Sequence, residues 1–232
     1  MRVGLSEHFN YRKLLRFIMP TVTMMLVTSV YSIVDGFFVS NFVGKNAFAA
    51  VNLIMPLLMM IGAFGFMIGT GGSALVAKVL GEGDRHSANR IFTMLIKVII
   101  VFSLTVSAAV FIFMPVLADL LGASAVIRSE CIIYGRISTC SMVFFMLQNA
   151  FQSFLVTADR ARLGLLFSVA SGLNNMALDF LFVYVFRFGI SGAALATAFS
   201  EFLGGIMPLL YFLSKKNTSL LRLVRRKLNF HQ

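Results

Sequence analysis

Residues 163–213 read LGLLFSVASGLNNMALDFLFVYVF, then RFG, then ISGAALATAFSEFLGGIMPLLYFL. The two apolar runs, Leu163–Phe186 and Ile190–Leu213, each exceed the about 20 residues that a helix needs to cross a bilayer core. Only Arg187, Phe188 and Gly189 separate them. Neither run shows the ten-residue alternation of a membrane barrel strand, and a lone helix satisfies its own backbone in hydrocarbon, so both are read as transmembrane helices. Each run also holds a carboxyl group, Asp179 in one and Glu201 in the other. An acid at that depth costs about 2.5–3.5 kcal/mol on insertion scales, so its presence needs a reason.

The same pattern extends upstream. Apolar runs occupy Phe17–Val39, Ala47–Val79, Ile91–Leu117 and Cys131–Thr157, which gives six predicted spans in all. The second is long enough to tilt or to continue beyond the bilayer. The connections Ser40–Asn46, Leu80–Arg90, Ala118–Glu130, Ala158–Arg162 and Arg187–Gly189 are short. The first run is too long for a signal-peptide core and no small-x-small site follows it. The predicted organisation is a cytoplasmic segment over residues 1–16, a six-helix transmembrane body over 17–213, and a basic cytoplasmic tail over 214–232.

Composition agrees. Of 232 residues, 59% are hydrophobic and 12% charged, and the mean hydropathy is +0.89. Soluble domains run near 45–50% apolar and about 25% charged, and no soluble fold of this size could hide the excess. A soluble enzyme, a disordered tail and a disulfide-rich secreted domain are excluded. The net charge of +11 does not mark a nucleic-acid binder, because the basic residues are scattered between apolar runs. They report topology instead. With both termini inside, fifteen Lys and Arg fall on the cytoplasmic side and three (Lys45, Arg128, Arg187) on the other. The positive-inside rule therefore orients the chain N-in and C-in. Lys97 and Arg136 fall inside spans near their ends, where long side chains snorkel. In the tail, Leu220, Leu221, Leu223, Val224 and Leu228 suggest a short interfacial helix.

Three acids stand at membrane depth: Asp35, Asp179 and Glu201. Each has polar company on one helix face. Tyr31 and Ser32 precede Asp35 by one turn. Asn175 precedes Asp179 by one turn, with Asn174 adjacent and Ser171 two turns back. Thr197 stands one turn before Glu201. Gln148, Asn149 and Gln152 cluster in the fourth span. Such faces suit a wet, oxygen-lined cavity for a hard cation or hydronium. The alternative is that the amides and hydroxyls bond neighbouring helices together.

All four prolines, Pro20, Pro56, Pro115 and Pro208, lie within spans. Each frees a backbone carbonyl and kinks its helix; Pro20 shares a helix with Asp35. The glycines of the second span (Gly62, Gly65, Gly69, Gly71, Gly72) read as close-packing positions. Cys131 and Cys140 match no metal or redox spacing and read as small core residues. No P-loop, GxSxG or HExxH motif appears, so nothing points to an enzyme or to a bound cofactor.

Three segments carry a resemblance. IVDGFFVSNFVGKNAFAAVNLIMP, IGTGGSALVAKVLGEGDRHSANR and LNNMALDFLFVYVFRFGISGAALATAFSE, in that order, resemble the helix-one-to-two, helix-two-and-loop, and helix-five-to-six signatures of MATE (multidrug and toxic compound extrusion) transporters. The resemblance implies a cation-coupled antiporter that exports cationic, amphipathic drugs by alternating access, driven by H+ or Na+, in a bacterial inner membrane. It assigns cation coupling to Asp35, Asn175, Asp179 and Thr197, with Na+ at the last three as one option, and a hinge to Pro20. Tyr31, Gln148, Asn149, Gln152, Ser171, Asn174 and Glu201 are then cavity-lining candidates. The chain departs from the family pattern at Ala158, where glycine is usual, and at Glu201, where glutamine is expected. It also supplies one six-helix lobe where a full MATE protein has two. The partners implied are membrane lipids, a small cationic substrate, and a second lobe or a homodimer; nucleic acid is not among them. Two rival readings remain: a half-size fragment inactive without a second lobe, and a lipid-linked oligosaccharide flippase of the same superfamily, whose cavity would be basic.

Overall fold

The computed structural model of the chain describes residues 11–214 and 219–224. The fold is all-helical. Helix α1 spans Tyr11–Phe38 and continues as a π-helical turn, Val39–Val43. Then follow α2 (Lys45–Gly81), α3 (Arg85–Leu120), α4 (Arg128–Thr157) and α5 (Ala161–Asp179). A second π-helical turn, Phe180–Val185, extends α5, and α6 spans Ile190–Leu213. Among the described residues five helices are long and apolar enough to cross a membrane: α2, α3, α4, α5 with its π turn, and α6. Helix α1 contributes a shorter apolar stretch, Ser29–Val43.

The helices exceed the apolar runs at their ends. Helix α2 has 37 residues and α3 has 36, about 55 Å each at 1.5 Å per residue, against a hydrocarbon core of about 30 Å. Both extend toward the tight loop Glu82–Asp84, so the Leu80–Arg90 connection expected from hydropathy is mostly helix. Gly83 turns the corner at φ 88°, a left-handed value that costs a side-chain-bearing residue about 1–2 kcal/mol. Asp84 then caps α3 by accepting from the Ser87 amide at 2.9 Å, which holds its carboxyl below the ordinary value. At the opposite end of the bundle Arg128 forks onto Asp119 (2.6 and 2.9 Å) and ties α3 to α4.

Helix α4 is the centre of the bundle. It packs against α2, α3, α5 and α6, while α1 lies against α5. The hydrophobic effect does not drive helices together in lipid, so close backbone packing must. The α2–α4 seam shows how. A Cβ on Gly65 would stand 2.6 Å from the Met146 carbonyl oxygen, and one on Gly69 would stand 2.7 Å from the Ala150 Cα. Gly62 and Gly72 are also closed by α4 or α3 side chains, but Gly71 faces open space and does not belong to the seam. Large apolar residues such as Met60, Val101, Ile112 and Leu173 remain exposed and form the lipid-facing surface.

Two expectations are corrected. The segment after α6 is not an interfacial helix where it is described. Residues 221–224 are non-helical, with Leu221 wholly buried. The Arg222 amide donates to Asn89 Oδ1 at 2.7 Å and the Val224 amide to Thr93 Oγ1 at 3.0 Å, while the Leu223 amide reaches the Phe212 carbonyl. Polar side chains on α3 supply acceptors that a helix would have found internally. Residues 1–10 of the predicted N-terminal segment, and 215–218 and 225–232 of the predicted tail, lie outside the described residues. The second correction is Cys140, which is exposed; Cys131 is buried, and both thiols are free.

Candidate functional site

Asp35 and Asp179 are brought together. Helix α1 packs along α5, and the two side chains face each other across that contact. Asp179 is 0% exposed, Asn175 one turn back is 2% exposed, and Asp35 is 8% exposed. Asp35 is near a span end, and the packing of α1 on α5 buries it. Both acid-bearing helices widen into π turns just beyond the acids, and Phe42 of the first π turn meets Tyr184 of the second, ring centroids 5.0 Å apart.

The hydrogen-bond state of this pair sets its chemistry. Asp35 Oδ1, Asn175 Oδ1 and both Asp179 carboxyl oxygens are buried without a hydrogen-bond partner. A buried polar atom left unpaired costs about 1–3 kcal/mol, more if charged. All four orphans are oxygens with lone pairs and none is a donor. The demand is for positive charge or for protons, and two carboxyls with an amide oxygen form an all-oxygen donor set that fits a hard monovalent cation or hydronium. Among the described residues no group of three or more His, Cys, Asp and Glu gathers, so no softer metal site is assembled.

Helix α4 closes the chamber. Tyr134 is buried, stands beside Ser138, and lies within electrostatic range of Asp35, Asp179 and Glu201. Ser138 Oγ is itself buried. One turn further on, Ser141 Oγ donates to Glu201 Oε2 on α6 at 2.5 Å. Sequence reasoning did not single out Tyr134, Ser138 or Ser141. Their i, i+4, i+7 spacing was the available signal, since it places three hydroxyls on one helix face.

Other predicted residues go elsewhere. Ser171 Oγ donates to the Ser200 carbonyl at 2.7 Å and Asn174 Nδ2 to Ser200 Oγ at 3.2 Å, so both join α5 to α6. Thr197 is half-buried on α6. The antiparallel pairing of Ser171 with Ser200 places Thr197 at the level of Asn175. Tyr31 stands one turn before Asp35, half-buried. The α4 amides divide. Gln148 and Gln152 line a narrow gap with Ser168, Gly204 and Pro208, between α4, α5 and α6, whereas Asn149 turns its backbone to Gly69 on α2. Pro20 falls in α1, and its side chain lies outside the described residues.

Asp35 has a second aspect. It forms part of a cleft of about 620 Å³ between α1 and α2, with Ser32, Ser40, Asn52, Met55 and Met59 among its walls. Methionine walls adapt to varied apolar shapes, and Asp35 is the one charged group among the residues lining this cleft.

The family model MatE matches residues 20–181, the stretch that carries both aspartates. The chain belongs to the MatE family. The relatives agree: the multidrug export protein MepA of Staphylococcus haemolyticus is 24% identical over 93% of this chain and 47% of its own length. Solved MATE structures superpose closely in two states. The bent conformation gives a TM-score of 0.84 at 25% identity, covering 92% of this chain and 47% of that one. The straight conformation gives 0.83 at 26% identity, covering 91% and 46%. This MatE chain thus spans about half the length of the relatives it matches. It is a multi-pass membrane protein of a transporter family, not an enzyme.

Proposed function

We propose that this chain is the cation-coupling lobe of a multidrug antiporter in a bacterial inner membrane, taking H+ or Na+ and moving cationic amphipathic compounds by alternating access. The observation that carries the reading is the set of four unpartnered buried oxygens on Asp35, Asn175 and Asp179. A cation entering there satisfies all four at once and ties α1 to α5; its departure releases them. Because Asp35 also faces the methionine-walled cleft, a cationic substrate and the coupling ion compete for one carboxylate, which is the linkage an antiporter needs. Thr197 adds a hydroxyl at the level of Asn175.

An acidic chamber disfavours the flippase reading. Lys97 lies on α3, which is not among the elements that supply the acids, and Arg136 stacks over the Phe111 ring of α3 at 5.3 Å. The half-length match favours a second reading beside the first: transport requires another six-helix lobe or a second copy of this chain. The test is ethidium efflux from efflux-deficient bacteria expressing the chain alone, or with a second lobe. Efflux that depends on Asp35 and Asp179 supports the proposal; efflux unchanged in both Asp35→Asn and Asp179→Asn overturns it.

A further inference from the structure

Glu201 belongs to a different helix pair from the two aspartates, yet the structure connects them. Helices α4 and α6 run parallel, since Ser141 meets Glu201 and a Cβ on Gly205 would stand 2.7 Å from the Phe144 carbonyl oxygen. Tyr134, level with Asp179, therefore lies about 10 Å along the bundle axis from the Ser141–Glu201 contact, seven residues at 1.5 Å each. Between them stands Ser138, whose buried hydroxyl adjoins Tyr134. Tyr134, Ser138 and Ser141 form one stripe on α4. At one end of the stripe is the Asp35–Asp179 pair, and at the other a single mid-helix carboxyl. Tyr134 on α4 is the titratable group shared by the two sites: it lies within electrostatic range of Glu201 on α6, Asp179 on α5 and Asp35 on α1. Arg136 turns away to α3, so no basic side chain in this set offsets the acid.

We propose that Glu201, with Ser141 and Ser138, is a second station for a monovalent cation, joined to the Asp35–Asp179 chamber by the hydroxyl stripe of α4. The stripe supplies oxygen ligands or hydrogen-bond rungs at one-turn intervals of about 5–6 Å, a gap that one water spans with two hydrogen bonds of about 2.8 Å each. Glu201 lies at the twelfth of the 24 residues of α6, near the middle of the span. A cation held there has left the first station without reaching either end of the helix. This inference deepens the proposed coupling role and rests on it.

Infrared difference spectroscopy on the full chain in lipid nanodiscs tests it, with NaCl, a pH step and tetraphenylphosphonium as separate probes. A glutamate carboxyl band that responds to a probe and is lost in Glu201→Gln is the expected result. Whichever probe evokes it names the cation: sodium, a proton, or the charged head of a substrate. Glu201→Gln preserves size and polarity, so the fold is retained. Ser141→Ala keeps the band and shifts its midpoint about tenfold, to higher Na+ or to higher pH according to the ion that loads, because a hydrogen bond to a charged group is worth at least that factor. A purely structural role moves no such midpoint. Spectra identical in wild type and Glu201→Gln for all three probes overturn the proposal. Aspartate bands lost in Asp179→Asn report on the first station separately, so the two readings fail independently.

Discussion

Asp179→Asn should make the protein more stable and less active at once. Asp35 Oδ1, Asn175 Oδ1 and both Asp179 carboxyl oxygens are buried acceptors with no donor among the described residues. Replacing Asp179 by Asn removes one carboxyl and supplies an amide with two N–H groups, one within reach of Asp35 and the other of the Asn175 carbonyl. The two carboxyls lie within hydrogen-bonding reach of each other; like charges about 4 Å apart repel by about 4 kcal/mol at an effective dielectric constant near 20, and each new neutral hydrogen bond contributes about 0.5–1.5 kcal/mol. Part of the repulsion is already relieved in the wild type if the pair shares a proton, so a net gain of about 1–3 kcal/mol is expected. At about 2–4 °C per kcal/mol for a chain of this size, the melting temperature rises by several degrees. The protein has no Trp, but Cys131 is buried and free while Cys140 is exposed. A thiol-reactive dye on a Cys140→Ser background therefore reports unfolding through Cys131 alone. Ethidium efflux, in a host where the wild type pumps, falls at least tenfold, since one of the two carboxyls proposed to couple is gone. A lower melting temperature together with retained efflux would refute the reasoning, because it would mean the orphaned oxygens are structural and already satisfied.

Other perturbations probe the frame that holds the chamber. Gly69→Ala sets a methyl 2.7 Å from the Ala150 Cα, about 1 Å inside normal contact; the cost of about 1–3 kcal/mol appears in the same thiol melt, whereas Gly71→Ala, which meets nothing within 4 Å, leaves the melt unchanged or raises it. Asp84 has a lowered carboxyl value because the Ser87 hydrogen bonds favour its charged form. Its contribution is complete above the ordinary value near 4 and is lost as pH falls through the lower folded value; hydrogen-exchange protection at the start of α3 declines there, and Asp84→Asn, which still caps, shows a flat profile. Leu221→Cys on the Cys140→Ser background resists maleimide and reacts faster when Asn89→Ala and Thr93→Val remove the two acceptors that hold the segment; equal rates would show that those hydrogen bonds do not hold it.

The spans were legible because hydrocarbon imposes length and composition directly. The sixth run, Ile190–Leu213, coincides with α6, and the fourth, Cys131–Thr157, begins three residues inside α4. The misses are at helix ends: α1 already includes Tyr11, Arg12 and Lys13, and α3 starts at Arg85, where charged residues continue a helix that hydropathy cannot see. The three acids stood out for the same reason, as insertion cost depends on what a residue is and where along the span it falls; the structure buries Asp35 and Asp179 and half-buries Glu201. Rotation was not. Periodicity groups Ser171 with Asn175 and Asp179, but Ser171 is drawn off by the Ser200 carbonyl on α6, a partner 29 positions away. The tail misled for a related reason. Leu220, Leu221, Leu223 and Val224 fit a helical apolar face, and only the presence of Asn89 and Thr93 on α3 shows why an extended backbone is satisfied there.

The placement of the oxygens has a consequence for the half-length match. Asp35 comes from α1, Tyr134 and Ser141 from α4, Asn175 and Asp179 from α5, and Thr197 and Glu201 from α6, so every donor considered belongs to this chain. On the proposed role, cation binding needs no second lobe, whereas alternating access needs something for this lobe to rock against. The two activities should separate. The chain alone in nanodiscs binds its coupling cation with a midpoint that Asp35→Asn and Asp179→Asn each shift by tenfold or more, about 1.4 kcal/mol, and the same chain in liposomes moves no ethidium until a second lobe is supplied or two copies associate. Cation binding that appears only when the second lobe is added would show that the chamber is completed from outside, and the four orphaned oxygens would then be awaiting a protein partner instead of an ion.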